Sequence, residues 1–153
     1  MLDRGFFKIL VKELPMRYRK YIFDPGGGGV KAKNVEGGNY PTKYSEPYGT
    51  KKKSGLLKRQ HRKFKNSYAP VASGDLLKDF SASNSGLTSG GMGFGFITDM
   101  GKVRSLQFSG RPIATDNKPL PTTVAVWVLM EAGIYTHKQW NKKIGNKDRH
   151  FRL

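Results

Sequence analysis

Cysteine is absent from this chain of 153 residues, and long apolar runs are absent as well. The lack of cysteine excludes disulfide bonds and thiolate-bound metals. The longest apolar run, from Val124 to Met130, is far shorter than the run of about 18 residues that indicates a membrane span. The first residues carry Asp3 and Glu13 and lack a small-residue cleavage site, which is not typical of a signal peptide. We therefore expect no membrane contact.

Acidic residues are scarce, with 11 Asp and Glu against 28 Lys and Arg, so the net charge is +17. The excess lies mainly in residues 1–65, which hold 17 Lys and Arg but only 5 acids. Such a charge repels itself unless a polyanion or an acidic neighbour compensates it. Hydrophobic residues make up 37% and there are 19 glycines, so we expect one domain with a modest core.

Groups that could carry out catalysis or bind a metal are few. His61, His137 and His150 are widely spaced, and none shares a helix face with another ligand. Asp75 and Asp79 are four residues apart, but an acid at Asp75 is explained by the dipole of the helix that begins there. No serine lies in a nucleophile elbow. We predict that the protein is not an enzyme and binds no metal.

The N-terminal residues, 1–24, are predicted to form a helical segment. Asp3 is suited to cap it, and the apolar residues from Phe6 to Leu14 recur at helical spacing. Pro15 is expected to break this helix or to start a second one, which ends at Asp24 and Pro25.

Residues 25–67 have little periodicity and are predicted to form an extended, basic arm. The run Gly26–Gly29 lacks the preceding strand and the closing Gly-Lys-Ser/Thr of a phosphate-binding loop, so we expect no nucleotide cofactor. Pro41 and Pro47 oppose a regular helix. Limited proteolysis of the monomer is expected to cut first within residues 25–55.

The arm also supplies the residues that we predict to contact a partner protein or DNA. Tyrosines are low-entropy aromatic anchors, and clustered Lys and Arg bind phosphates or acidic surfaces. The alternative for the cluster from Lys51 to Lys65 is a solvated helix face. The predicted contact residues are Tyr40, Tyr44, Tyr48, Lys51, Lys52, Lys53, Lys58, Arg59, Arg62, Lys63 and Lys65.

Residues 68–153 are predicted to form the α+β core. Ser73 can cap a short helix that carries Leu76, Leu77 and Phe80. The alternation of Gly and Phe over Met92–Thr98 predicts a strand, followed by a turn at residues 99–101.

The apolar pattern continues at Val103, Leu106 and Phe108. Farther on, a helix from Thr122 is expected to end at Gly133. A capping box of Thr136 and Gln139 is expected to start another helix, which Gly145 would stop.

These elements predict an α+β fold in which a small antiparallel sheet packs against an N-terminal helix and C-terminal helices, with a long extended arm. The predicted core residues are large and apolar. They are Phe6, Ile9, Leu10, Leu76, Phe80, Phe94, Phe96, Leu106, Val124, Trp127 and Val128.

The order of these features resembles bacteriophage head–tail connector and tail-completion proteins, including the Mu-like virion-morphogenesis family. Those proteins begin with a helix, continue through an irregular arm and present a Pro-Val-x-Thr-Gly-x-Leu motif. The stretch from Pro70 to Leu76 is similar, with Ser73 in place of threonine. A Gly-containing strand follows in the family, as at Met92–Thr98, and then an Arg-Pro pair, as at Arg111 and Pro112. The C-terminal helical region, 122–144, departs from the pattern.

The resemblance implies a structural virion protein, assembled in the host cytoplasm, that forms a homo-oligomeric ring in the phage neck. Its expected neighbours are portal or adaptor and tail proteins, with double-stranded DNA in the channel. The basic character, with a pI near 10.2, leaves a second hypothesis, a basic RNA-binding or ribosome-associated protein. A metal-dependent nuclease would need clustered acids, which this sequence lacks.

Overall fold

The computed structural model describes residues 2–26, 31–41, 48–54, 69–70, 75–79, 85–94 and 100–150. Within these ranges the elements are α1 (Arg4–Phe23), α2 (Tyr48–Ser54), α3 (Asp75–Asp79), β1 (Ser85–Thr88), β2 (Gly91–Phe94), α4 (Met100–Phe108) and α5 (Thr122–His150). The two strands pair antiparallel, with Ser85 opposite Phe94 and Thr88 opposite Gly91. The hairpin packs against α1, which also contacts α5. The predicted α+β fold with its small antiparallel sheet is confirmed.

Helix α1 begins as predicted at Asp3, whose carboxylate Oδ1 accepts from the amides of Gly5 (2.8 Å) and Phe6 (3.3 Å). It ends before Asp24, which adopts a left-handed conformation with φ of 41°. The predicted break at Pro15 is wrong, because α1 is continuous through that residue. A proline inside a helix leaves the carbonyl four residues earlier without its amide donor. Here that carbonyl belongs to Val11, and the Ser85 hydroxyl donates to it at 2.8 Å.

The hydrophobic core lies around the second half of α1. Tyr18, Ile22 and Phe23 are almost fully buried, and the Tyr18 hydroxyl donates to the carbonyl oxygen of Ile113. The main cluster of buried residues consists of Tyr18, Ile22, Phe23, Ala32, Val35, Tyr40, Ala69, Leu77, Val103 and Ile113. Residues from the predicted arm therefore complete the core of the protein.

Residues 31–41 form a compact loop on α1, contrary to the prediction of an extended arm over this part. The Lys33 amide donates to the carbonyl of Tyr21 at 3.1 Å, and the Val35 amide donates to the carbonyl of Pro112 at 3.0 Å. The side chain of Asn34 accepts from the backbone inside the loop and so replaces regular secondary structure. We therefore expect residues 31–41 to resist the early proteolysis predicted for the whole segment.

The predicted core agrees only in part with the structure. Phe6, Leu10 and Val124 are buried as expected. The side chains that are only partly buried are Ile9, Leu76, Leu106, Trp127 and Val128. Phe80, Phe96, the side chain of Phe94 and the predicted cap Ser73 lie outside the described residues.

Two boundaries in the C-terminal half are also corrected. Residues 100–101, predicted as part of a turn, begin α4, so Val103, Leu106 and Phe108 lie on a helix. The predicted division at Gly133 is wrong, because α5 runs unbroken from Thr122 to His150. One glycine costs a helix only about 1 kcal/mol, which packing on α1 can offset. The Thr136 hydroxyl donates to the Ala132 carbonyl at 2.8 Å within this helix and does not act as an N-cap. None of the described helices combines the length and apolar character needed to cross a bilayer.

Candidate functional site

The predicted contact residues have several different environments. Tyr48 is 36% exposed, and Lys51 and Lys53 are exposed on α2, so these three are accessible to a partner. The predicted residues that lie outside the described ranges are Tyr44, Lys58, Arg59, Arg62, Lys63 and Lys65. The predicted contact surface is thus described only at α2.

Tyr40 and Lys52 are corrections to the predicted contact surface, because both are buried. The Tyr40 hydroxyl donates to the carbonyl of Ile22 at 3.1 Å, which ties the loop to α1. The Lys52 ammonium donates to the carbonyl of Ala69 at 3.2 Å. Burial, and secondarily the positive charge of Arg111, lower the pKa of Lys52 to about 8. Neither side chain can reach a partner in this conformation.

A basic cleft that the sequence did not predict lies between the second half of α1, the loop at residues 31–33 and the start of α5. Its volume is ≈ 390 Å³. The cleft is lined by Arg17, Lys20, Tyr21, Asp24, Lys31, Lys33, Thr123, Val124 and Trp127. Four of these residues are cations and one is an acid, so the cleft attracts an anionic group.

Two side chains at the edge of the basic cleft join α1 to α5. The Arg17 guanidinium carbon lies 4.2 Å from the centre of the Trp127 ring, within the range of a cation–π contact. Arg17 also forms an ion pair with Glu13, at 3.5 Å. The Trp127 indole N–H donates to Glu131 at 3.1 Å. One face of the Trp127 ring is therefore covered by a cation within the protein.

A second connection between the same helices lies at the start of α1. The Tyr135 hydroxyl donates to the Asp3 carboxylate at 2.5 Å. This hydrogen bond lowers the pKa of Asp3, and the amides of Gly5 and Phe6 act in the same direction. The inner face of α5 is thus held on α1 from Trp127 to Tyr135.

The opposite face of α5 is apolar and exposed. Leu129, Met130 and Trp140 are 72%, 62% and 64% exposed, and Val126, Ile134 and Ile144 are also exposed. Isolated exposed apolar residues are common on proteins, but a contiguous set usually marks a contact surface. We call this face the outer face of α5.

No group of three or more His, Asp or Glu side chains within the described ranges could hold a metal ion. The exposed features of the part of the chain that the structure describes include a cationic cleft and an apolar helix face.

No protein-family model matches the chain, and no curated protein or solved structure is significantly similar to it.

Sequence reasoning missed the basic cleft because its cations are dispersed in the chain. Arg17 and Lys20 belong to α1. Lys31 and Lys33 belong to a loop that the sequence analysis predicted to be part of an extended arm and not to pack on α1. The available signal was the i, i+3 spacing of Arg17 and Lys20, which places both on one side of α1.

Proposed function

We propose that this protein is a non-enzymatic structural subunit of the bacteriophage neck, a head–tail connector or tail-completion protein that forms a ring around the DNA channel. The observation that carries the proposal is the outer face of α5. A helix of 29 residues exposes large apolar side chains on the side that faces away from its own core. In an assembly subunit such a face is covered by neighbouring proteins.

The net charge supports a polyanionic partner for the same subunit. Neighbouring copies that each carry +17 repel one another in a ring unless acidic proteins or DNA compensate. The basic cleft and the exposed Lys51 and Lys53 on α2 offer cations for phosphate groups. The motif similarity at residues 70–76 and at Arg111 and Pro112 is consistent with this role. Arg111 is buried and donates to the carbonyl of Pro41 at 2.9 Å, so it supports the fold by joining the chain segments at residues 41 and 111.

The cleft fits the backbone of a duplex better than unpaired RNA bases. Binding of single-stranded nucleic acid usually needs open aromatic faces on which bases stack. Arg17 covers one face of Trp127, and Tyr40 is buried. These contacts favour DNA in a channel over the RNA-binding alternative.

The proposal is tested by attachment of the tagged chain to particles whose own copy has been removed. In one variant, Lys58, Arg59, Arg62 and Lys63 are replaced with Gln. In the other variant, Lys20 and Lys31 of the basic cleft are replaced with Gln. We expect both to attach more weakly and with a smaller dependence on salt, because fewer counterions are released.

The cleft variant is expected to keep the melting temperature nearly unchanged, because Lys20 and Lys31 are exposed and such charges contribute only about 0–1 kcal/mol each. The same is expected of the other variant, because few apolar residues accompany its four cations in the sequence. A matched control replaces Lys138 with Gln on the exposed part of α5, away from the cleft. Normal attachment of both variants at physiological salt would show that these cations are only a solvated surface. Co-sedimentation with ribosomes instead of particles would favour the RNA-binding alternative.

A further inference from the structure

The outer face of α5 has a regular spacing. Six exposed positions on this side of the helix, which include Gly133 and His137 and are flanked by Leu129 and Ile134, follow one another at intervals of four, three, four, three and four residues. This is the spacing of the a and d positions of a heptad repeat, by which one helix packs along another. The six positions, which we call the seam, are Val126, Met130, Gly133, His137, Trp140 and Ile144.

The seam lies on the side of α5 opposite Tyr135, which contacts α1, and all six of its residues are exposed. From Val126 to Ile144 it extends over about 27 Å at 1.5 Å per residue. A side chain added at Gly133 would meet no atom within 4 Å. Beside Gly133 is a shallow, mainly apolar hollow of ≈ 520 Å³ that His137, Trp140 and, from the N-terminal segment, Leu2 also line. The seam therefore has a depression at Gly133, near its middle, and the larger residues His137 and Trp140 follow it toward the C-terminal end of α5.

We propose that the seam binds the same helix of a second copy of this chain in antiparallel orientation, giving a two-fold symmetric dimer. This inference does not rest on the proposed phage function. Reversing the helix about position 135 places Val126 opposite Ile144 and Met130 opposite Trp140. It also places Gly133 opposite His137, so an a position faces a d position in each of these layers. Each small or slender residue thereby meets a larger one, and the depression at Gly133 receives the partner's His137.

A parallel pairing of the same seam has poorer packing. It would place Gly133 against Gly133 and Trp140 against Trp140, which leaves a void beside an overfilled layer. Both defects destabilise a core-like contact. The distribution of residue sizes thus selects the antiparallel orientation.

The charges of α5 favour the same orientation. Residues 122–136 contain one charged residue, Glu131, whereas residues 137–144 contain Lys138, Lys142 and Lys143. An antiparallel pair keeps the two basic halves apart, while a parallel pair places them side by side, where they repel each other. Antiparallel helix dipoles also oppose each other favourably.

We assign a second copy of this chain as the partner of the seam because, in antiparallel orientation, the small residues of one seam lie opposite the large residues of the other. A two-fold contact uses one surface patch on both partners and closes after two copies. Because this contact covers the same outer face that neighbouring proteins cover in the proposed ring, the dimer is a state of the free protein that separates before assembly. Dimerisation is measured in the absence of particles, so it can succeed or fail separately from ring formation.

The orientation is tested by cysteine cross-linking of the 153-residue chain, which contains no cysteine. Val126→Cys and Ile144→Cys are made as separate variants and oxidised alone or mixed. The antiparallel dimer predicts a disulfide only in the mixture, because two copies of residue 126 lie about 27 Å apart along the pair. Cross-linking of each variant alone would overturn the antiparallel pairing in favour of a parallel one. No cross-link in any sample would overturn the dimer.

Sedimentation equilibrium measures the strength of the pairing. Trp140→Gln is expected to weaken dimerisation at least about tenfold, as is common for a central aromatic contact residue. Lys142→Gln, on the same helix but outside the seam, should change it little. Added salt should strengthen dimerisation by screening the net positive charge, whereas DNA binding weakens with salt. A protein that stays monomeric at high concentration and high salt, or a Trp140→Gln variant that dimerises normally, would contradict the proposal.

Discussion

The hydroxyl of Ser85 donates a hydrogen bond to the carbonyl oxygen of Val11, at 2.8 Å. Val11 precedes Pro15 by four residues, so no amide of α1 is available to this carbonyl. The first residue of the hairpin therefore satisfies an acceptor that the proline leaves open. This contact joins the sheet to α1 and explains how the helix continues through a buried proline.

A double-mutant cycle tests this contact. Ser85→Ala should lower the free energy of unfolding by about 1–2 kcal/mol, because a partly buried acceptor loses its donor. In a Pro15→Ala background the residue 15 amide can bond to Val11, so the same substitution should cost clearly less. Urea unfolding of the wild type, the two single variants and the double variant gives the coupling free energy between residues 15 and 85. Equal costs in both backgrounds would show that Ser85 does not compensate for the proline.

Lys52 predicts a dependence of stability on alkaline pH. Its pKa in the folded state is about 8, below the ordinary lysine value, because of burial and the nearby Arg111. Between pH 8 and 10 the unfolded chain binds the proton more tightly than the folded one, so stability rises with pH. Over this range we expect the free energy of unfolding of the wild type to rise by on the order of 1–2 kcal/mol relative to that of Lys52→Met.

Tyr18 lowers the stability of both the wild type and Lys52→Met at higher pH, so the comparison between them is needed to isolate Lys52. Burial raises the pKa of the Tyr18 phenol above its ordinary value of about 10. The folded state holds the phenol proton more tightly than the unfolded chain does. The stability that this difference contributes is fully present below about pH 10 and is lost as the pH rises through the raised pKa of Tyr18. Denaturant midpoints of wild type and Lys52→Met at pH 7.5 and 10 provide the comparison. Identical changes in both proteins would show that Lys52 titrates normally in the fold.

Gly5 is predicted to be constrained by Tyr135. A Cβ at Gly5 would clash with the Tyr135 hydroxyl and would lie 3.0 Å from the Asp3 carboxylate. Gly→Ala in a helix usually stabilises by about 0.5–1 kcal/mol. In the wild type that gain should be reduced or reversed, because Tyr135 must move away from Asp3. In Tyr135→Phe, which lacks the hydroxyl, the gain should reappear in thermal melts. The same effect of Gly5→Ala in both backgrounds would contradict the contact.

Trp127 is expected to contribute less than a fully buried tryptophan. Its ring is half-buried, with Arg17 over one face. Trp127→Ala should therefore lower stability by about 1–3 kcal/mol, below the 3–5 kcal/mol of a core truncation. Arg17→Ala should cost about 0.5–1 kcal/mol and very little once Trp127 is absent. Chemical denaturation measures both values. A loss of under about 0.5 kcal/mol for Trp127→Ala would show that its contacts with α1 do not support the fold.

The sequence predicted local structure better than long-range contacts. The Asp3 cap, the end of α1 at Asp24 and the short helix at Leu76 and Leu77 follow from neighbouring residues and were correct. The core around Tyr18 was missed because its members come from several segments. Among them are Val35 and Tyr40, which lie in a glycine-rich stretch without periodicity.

The errors at Pro15 and Gly133 have a related cause. Each residue has an unfavourable local preference for helix, yet tertiary contacts outweigh it. Ser85 compensates at Pro15, and Tyr135 anchors α5 just beyond Gly133. The basic cleft could not be predicted for the same reason, since its cations meet only when the loop at residues 31–41 folds onto α1.

Immunogold electron microscopy of the cells that encode this chain, and of the particles they release, tests the central claim most directly. An antibody against the purified protein should label released particles at the joint between head and tail, where the ring of subunits is proposed. Label on ribosomes, or particles that carry no label while the protein is abundant in the cell, would contradict the proposed role in the phage neck.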